Sequence, residues 1–388
     1  MRDVIEQWSS RYVWRSSVDQ SLTPITIRQL SGVGDVSATF RPDVSRFHTR
    51  DLDNKKFLSL WSEGRPFIVE DVLGDMQGSW GPDYFADTYG SDIVSVVDCE
   101  TNTSTSMTVR DFFWRFETCR NSKPLKLKDW PPNTDAKFPQ LFKAFIDALP
   151  VPDYTRPDGV ANLTAHFPPN GVIPDLGPKM YNAYGTGTYS QHGTTCLHLD
   201  VTSAVNLMLY AVAEEDGSPG SAVWHIFPRS ACSSIRKLIS ESDMGEEMGD
   251  PIHNQKTYVL QEMLDRLWVE YDVVPWEIKQ CPGEAVFIPA GCAHQVHNIS
   301  NSIKVALDFL SVMDLPPTER VGQELRIQRI ITDWGEDVLC FYDVLWYAWL
   351  LLSQQMKFRG NAVIDYACDP TGMSQPVGYI PRLTAVQR

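Results

Sequence analysis

His198-Leu199-Asp200 sets an imidazole and a carboxylate two residues apart. On an extended backbone such residues point to the same face, so the two donors converge. A third donor has to come from a distant strand. His294 lies 96 residues further on, just after the apolar segment Ala285 to Pro289 and a Gly-bearing turn. Two imidazoles and one carboxylate cover one face of an octahedral ion and leave three positions open, the donor set of non-haem iron(II) oxygenases. His297 competes for the third place. Three residues apart on a strand, His294 and His297 would face opposite ways, and spacing alone does not choose between them. His48, His166, His192, His225 and His253 have no carboxylate at comparable spacing. A bare His-x-Asp arises by chance in a chain of 388 residues, so its surroundings must carry the argument.

The elements that would hold these donors read as β. Ala204 to Val212 and Ala222 to Phe227 are short apolar runs with β-branched and aromatic residues, bounded by Gly, Ser and Pro. Trp276 to Gln280, the turn Cys281-Pro282-Gly283-Glu284 and Ala285 to Pro289 read as a hairpin-like unit, and Ile303 to Phe309 as another strand. Ser233 to Glu270 is polar with helical patches, an insertion between strands. Short strands around such turns are the material of a double-sheet jelly roll. Before them, a helix is expected over Val109 to Phe116, with a Pro- and Asn-rich boundary at Trp130-Pro131-Pro132-Asn133. After Pro317 the pattern turns helical, with Leu325, Ile327, Ile330, Ile331, Trp334 and Val338 near a 3.6-residue period. The apolar run Val344 to Leu352 then belongs to a helix that is buried or faces a partner. The expected division is 1–135, a mixed α/β region packing on the core; 136–316, the jelly roll; and 317–388, a helical region with a tail.

Composition narrows the partners. Asp and Glu number 49 against 34 Lys and Arg, a formal net charge of -15. That field disfavours a general binder of nucleic-acid backbone and favours a basic partner such as a Lys- and Arg-rich peptide. None of the eight cysteines forms a Cys-x-x-Cys pair, so no cysteine-rich zinc module is written here, and the thiols read as free. The opening residues lack the apolar run of a signal peptide, and Val344 to Leu352 is far shorter than the ~20 residues that span a bilayer. The expectation is an intracellular, soluble chain without a membrane partner.

The residues around the donors carry a resemblance. Gly193-Thr194-Thr195-Cys196-Leu197-His198-Leu199-Asp200-Val201 with Ala204-Val205-Asn206 resembles the first metal motif of the JmjC (jumonji) histone lysine demethylases. It is most similar to the hairless-related branch, which acts on mono- and dimethylated lysine nine of histone H3. Leu125 to Pro132 and Pro174 to Gly185 match the same branch, as do Phe287 to Gly291, His294 to Asn298 and Ile303 to Ala306. These segments run in order from roughly residue 40 to residue 312.

The resemblance implies a mainly β, cupin-like double-stranded β-helix with flanking helices. It implies iron ligands at His198, Asp200 and His294, which sets His297 aside. It implies 2-oxoglutarate as cosubstrate with O2, hydroxylation of an N-methyl group and release of formaldehyde. Partners would be a methylated histone H3 tail and chromatin in the nucleus, with a homodimer also in view. Thr195 matches the family's hydroxyl donor to the cosubstrate. Many members carry a lysine just before the tryptophan that is Trp224 here; this chain has Ala222-Val223, and Lys304 is the available cation. Asn206 and Tyr210 are further candidates for the cosubstrate pocket, and Tyr181, Asn182 and Tyr184 for the methyl-lysine channel. The upstream zinc finger of larger members is missing from this sequence, and the Ala213 to Ser221 insertion is short. Both departures bear on the substrate. A protein hydroxylase, an oxygenase of methylated nucleic acid and a non-catalytic chromatin scaffold remain the competing readings.

Overall fold

The computed structural model describes residues 42–119, 123–128, 130, 137–168, 171, 174–187, 193–242, 249–332 and 339–367, with side chains to 354. The expectations at His192, Pro131, Pro132, Asn133, Trp334 and Val338, and everything before residue 42, lie outside them.

Two facing sheets form the centre. The larger takes β1 (Arg46–His48), β2 (Phe67–Glu70), β3 (Ile93–Asp98), β4 (Ser104–Thr108), β5 (Leu125–Lys128), β6 (Lys179–Ala183), β8 (Ser203–Ala211), β11 (Ala285–Ile288) and β13 (Ser302–Phe309). Its order is β1-β2-β11-β8-β13-β6-β5-β3-β4. The smaller, β10-β9-β12-β7, is built from β7 (Thr195–His198), β9 (Ala222–Ile226), β10 (Trp276–Gln280) and β12 (His294–Asn298). Only the β1–β2 pairing is parallel among the described strand pairs. This is the jelly roll expected, with helices on its flanks. Residues 46–128 are woven into the same large sheet as β8 and β13.

The period of two explains the core. On β8, Ala204 and Met208 turn inward with Trp224, Ile278, Val286 and Val296, filling the space between the sheets. Val205 and Leu207 turn outward onto an aromatic layer of Phe57, Trp61, Phe67, Phe287 and Phe309. Both faces of β8 are therefore covered, which is why its sequence reads as a continuous apolar run rather than an alternation. Part of the aromatic layer comes from α1 (Asn54–Ser62). Around it pack α2 (Pro82–Tyr89), α3 (Val109–Thr118) and α4 (Pro139–Ala148). The α3 helix begins where the sequence suggested, because Thr108 caps it by accepting the Asp111 N–H. The polar stretch between β9 and β10 supplies α5 (Cys232–Ser242) and α6 (Gln261–Tyr271).

One local expectation fails. β10 and β11 do not pair as a hairpin: β10 joins β9, while β11 inserts between β2 and β8 in the other sheet. The turn between them, with Gly283 at φ +88°, carries the chain from one layer to the other. Gln280 ties that crossing by donating to the Asn206 and Glu284 carbonyls and accepting from the Trp224 indole N–H. The helix expected after Pro317 is α7 (Leu315–Thr332), and its isoleucines face outward, with Ile327 58% and Ile330 81% exposed. α8 (Phe341–Ala367) buries Val344 and Ala348 against Leu163 and Leu310 but leaves Trp346 and Trp349 about half exposed, at 49% and 48%. Among the described residues no helix is long and apolar enough to cross a membrane.

Candidate metal centre and its pocket

The last residue of β7 is His198 and the first of β12 is His294. These two antiparallel strands set them directly opposite each other, with ring centroids 4.1 Å apart. Asp200 follows β7 by two residues. Its carboxylate oxygens lie 3.9 Å from His198 Nε2 and 3.6 Å from His294 Nε2. One ligand atom from each of the three falls within 4.8 Å of the others. Both rings are held from behind: His198 Nδ1 donates to the Cys196 carbonyl at 2.9 Å and His294 Nδ1 to the Cys292 carbonyl at 3.1 Å. A carbonyl only accepts, so the hydrogen sits on Nδ1 and the Nε2 lone pair points toward Asp200.

The electrostatics agree with a cation-binding donor set. Burial, together with the adjacent His198 ring, pushes His294 down to about 4, so it is neutral and ligand-competent near pH 7. Burial pushes the Asp200 carboxyl up, but His294, His198 and Lys179 outweigh it and hold the group below its ordinary value. His297 occupies the opposite face of β12, its Nε2 2.8 Å from the Thr186 hydroxyl. His48, His225 and His253 do have carboxylate neighbours, in Asp71, Glu277 and Glu324. None of these pairs gathers a third donor among the described residues.

The triad lies in a cleft between the sheets whose walls include Thr195, Asn182, Tyr181, Asn206 and Lys304. Lys304 is 4% exposed, its ammonium 2.6 Å from Asn298 Oδ1 and 5.4 Å over the Trp224 ring. Burial pushes it down to about 7, with no carboxylate partner among the described residues. Asn206 Oδ1 and both amide atoms of Asn182 are buried without a hydrogen-bond partner among the described residues. Buried polar groups cost free energy until they are bonded, so this lining suits a polar ligand with an anionic end.

Two of the candidates lie elsewhere. Tyr210 is not on the cleft: the β8–β13 register slips between Ile303 (opposite Tyr210) and Lys304 (opposite Met208), so Leu209 is an extra residue. That bulge turns Tyr210 away, onto Phe116, with its hydroxyl 3.0 Å from Glu117. Tyr184 lies past the end of β6 in the aromatic core, 2% exposed, donating to the Phe112 carbonyl at 2.6 Å. Conversely, Asn298, Lys179 and Asp308 line the cleft without having been assigned roles from sequence. Each stands at even spacing from a residue already singled out (His294, Tyr181 and Lys304), and that was the available signal.

The fold and the donor set together define a jelly-roll pocket with three donors that could hold a metal ion. Residues 190–309 match the family described as "JmjC domain, hydroxylase". The chain contains a JmjC domain over that segment. It is similar to "Lysine-specific demethylase 3A" of Homo sapiens, 36% identical over 352 residues, covering 77% of this chain and 26% of the relative. It is also similar to "Lysine-specific demethylase 3" of Drosophila melanogaster, 33% identical over 340 residues, covering 75% of this chain and 40% of the relative. The chain thus spans about a quarter of the human relative's length.

Proposed function

We propose that this chain is an iron(II)- and 2-oxoglutarate-dependent dioxygenase that demethylates methyl-lysine on a histone H3 tail, of the lysine-nine type. The observation that carries the reading is the His198, Asp200 and His294 cluster, with both Nδ1 atoms tied to carbonyls and both Nε2 atoms free to bind. The names of the relatives supply the substrate class. Iron(II), 2-oxoglutarate and O2 together supply the oxidising power that hydroxylates an N-methyl C–H, after which the N-hydroxymethyl group leaves as formaldehyde.

The chain's own part is to bind and orient. Two imidazoles and one carboxylate would hold the ion on one face and leave positions for the cosubstrate and O2. The Lys304 ammonium, with Thr195 and Asn206, receives the cosubstrate's carboxylates, which accounts for a buried lysine without an acidic partner. Tyr181, 45% exposed, and Asn182 border the approach for the methylated ammonium. The acidic charge of -15 suits a basic tail and a chromatin setting in the nucleus. On this reading residues 136–316 are the catalytic domain, between 1–135 and 317–388 in the sequence, and two chains associate through the helices α7 and α8.

Formaldehyde release coupled one-to-one to 2-oxoglutarate consumption, on mono- or dimethylated H3 peptides, is the test. A stable hydroxylated peptide without formaldehyde would favour a protein hydroxylase instead, the activity in the family's own description.

A further inference from the structure

The cleft around the triad contains a second carboxylate. Asp200 and Asp308 are the acidic side chains of its described lining, and Asp308 comes from β13, two strands from β11 in the large sheet. Asp200 is close enough for its charge to bear on Asp308: burial raises the Asp308 carboxyl, Lys179 opposes this, and Asp200 raises it further. Asp308 has its backbone N–H fixed by the Leu176 carbonyl at 2.9 Å and its side chain only 12% exposed. Hard divalent ions take carboxylate oxygen readily. An unpaired carboxylate in this cleft is therefore a competing ligand for positions that the cosubstrate and O2 require.

Lys179 stands on β6, which pairs with β13 so that Lys179 lies opposite Ala306, two residues from Asp308. Its ammonium reaches Asp308 Oδ2 at 2.6 Å, and it lines the same cleft. We propose that Lys179 masks Asp308, so that a site containing two carboxylates presents only one, Asp200, to the metal. The inference rests on the metal reading of His198, Asp200 and His294, and it makes Lys179 a positioning residue. The fixed ion pair keeps the donor count at three and the remaining coordination positions free for ligands from solution.

Manganese(II), titrated into the full chain without cosubstrate, tests this. Water-proton relaxation reports the number of metal-bound waters, and thermal unfolding verifies that each variant is folded. Lys179→Gln removes the charge but keeps a donor for Asp308. It is expected to bind manganese(II) several-fold more tightly than the wild type and to carry fewer bound waters, because Asp308 enters the coordination sphere. Lys179→Gln/Asp308→Asn is expected to return both quantities to the wild-type values. Lys179→Met carries the same expectations if the Gln variant does not fold. Unchanged affinity in the charge-removing variants overturns the masking, and so does tighter binding with no loss of water, which is a field effect alone. Equal binding by wild type and His198→Ala sinks the metal reading itself, an outcome distinct from either.

Discussion

Two backbone carbonyls, of Cys196 and Cys292, decide what the histidines can do. By accepting from Nδ1 they fix the tautomer and aim Nε2 at Asp200. Replacing His198 or Asp200 by Ala is expected to abolish stoichiometric iron(II) binding, because two protein donors do not retain a labile divalent ion. His297→Ala, which loses a contact with Thr186 on the far face of the strand, is expected to keep it. Calorimetric titration of each variant checks both; loss of binding in His297→Ala alone would reverse the ligand assignment. Lys304 makes a pH-dependent prediction. Burial lowers it to about 7, so it is charged below that pH and increasingly neutral above it. A cosubstrate carboxylate needs the charged form. The dissociation constant for 2-oxoglutarate should therefore rise as pH climbs above about 7, and Lys304→Met should weaken binding and flatten the slope. A slope unchanged by Lys304→Met would assign the anion's partner elsewhere. His-x-Asp was legible because extended backbone alone brings its side chains together. Spacing alone left the choice between His294 and His297 open, since it depends on which face of β12 turns toward the cleft; only the motif resemblance made it.

Strands were legible as apolar runs; their partners were not. Trp276 to Gln280 and Ala285 to Pro289 sit either side of a Pro-Gly turn, and nothing local says that the turn passes between layers. Tyr210 illustrates the same limit. Counting by twos from Asn206 and Met208 puts it in the cleft, but the extra residue at Leu209 becomes apparent only once β13 lies alongside. Tyr184 was read from a motif and serves instead as a brace between β6 and α3. Tyr184→Phe should remove the hydroxyl's bond to the buried Phe112 carbonyl and cost about 1 kcal/mol in stability, with no change in the Michaelis constant for 2-oxoglutarate. Chemical denaturation beside steady-state kinetics separates these effects; a raised constant with unchanged stability would return Tyr184 to the pocket.

At the scale of the molecule, α8 shows how far an apolar run predicts its surroundings. Val344 and Ala348 pack inward, as required of so many consecutive apolar residues, yet the stacked pair Trp346 and Trp349 remains about half exposed. With the exposed Ile327 and Ile330 of α7, this leaves apolar surface that the described chain does not cover. Light scattering is expected to give a dimer, and Trp346→Glu a folded monomer; a monomeric wild type would contradict self-association through this surface.

Mass spectrometry of H3 peptides methylated at lysine nine, incubated with the chain, iron(II), ascorbate and 2-oxoglutarate, separates a demethylase from the alternatives. Stepwise loss of methylene mass from the mono- and dimethylated peptides, dependent on 2-oxoglutarate and absent with His198→Ala, is expected. Unaltered peptides from a folded, iron-loaded chain, or equal turnover by His198→Ala, would contradict it.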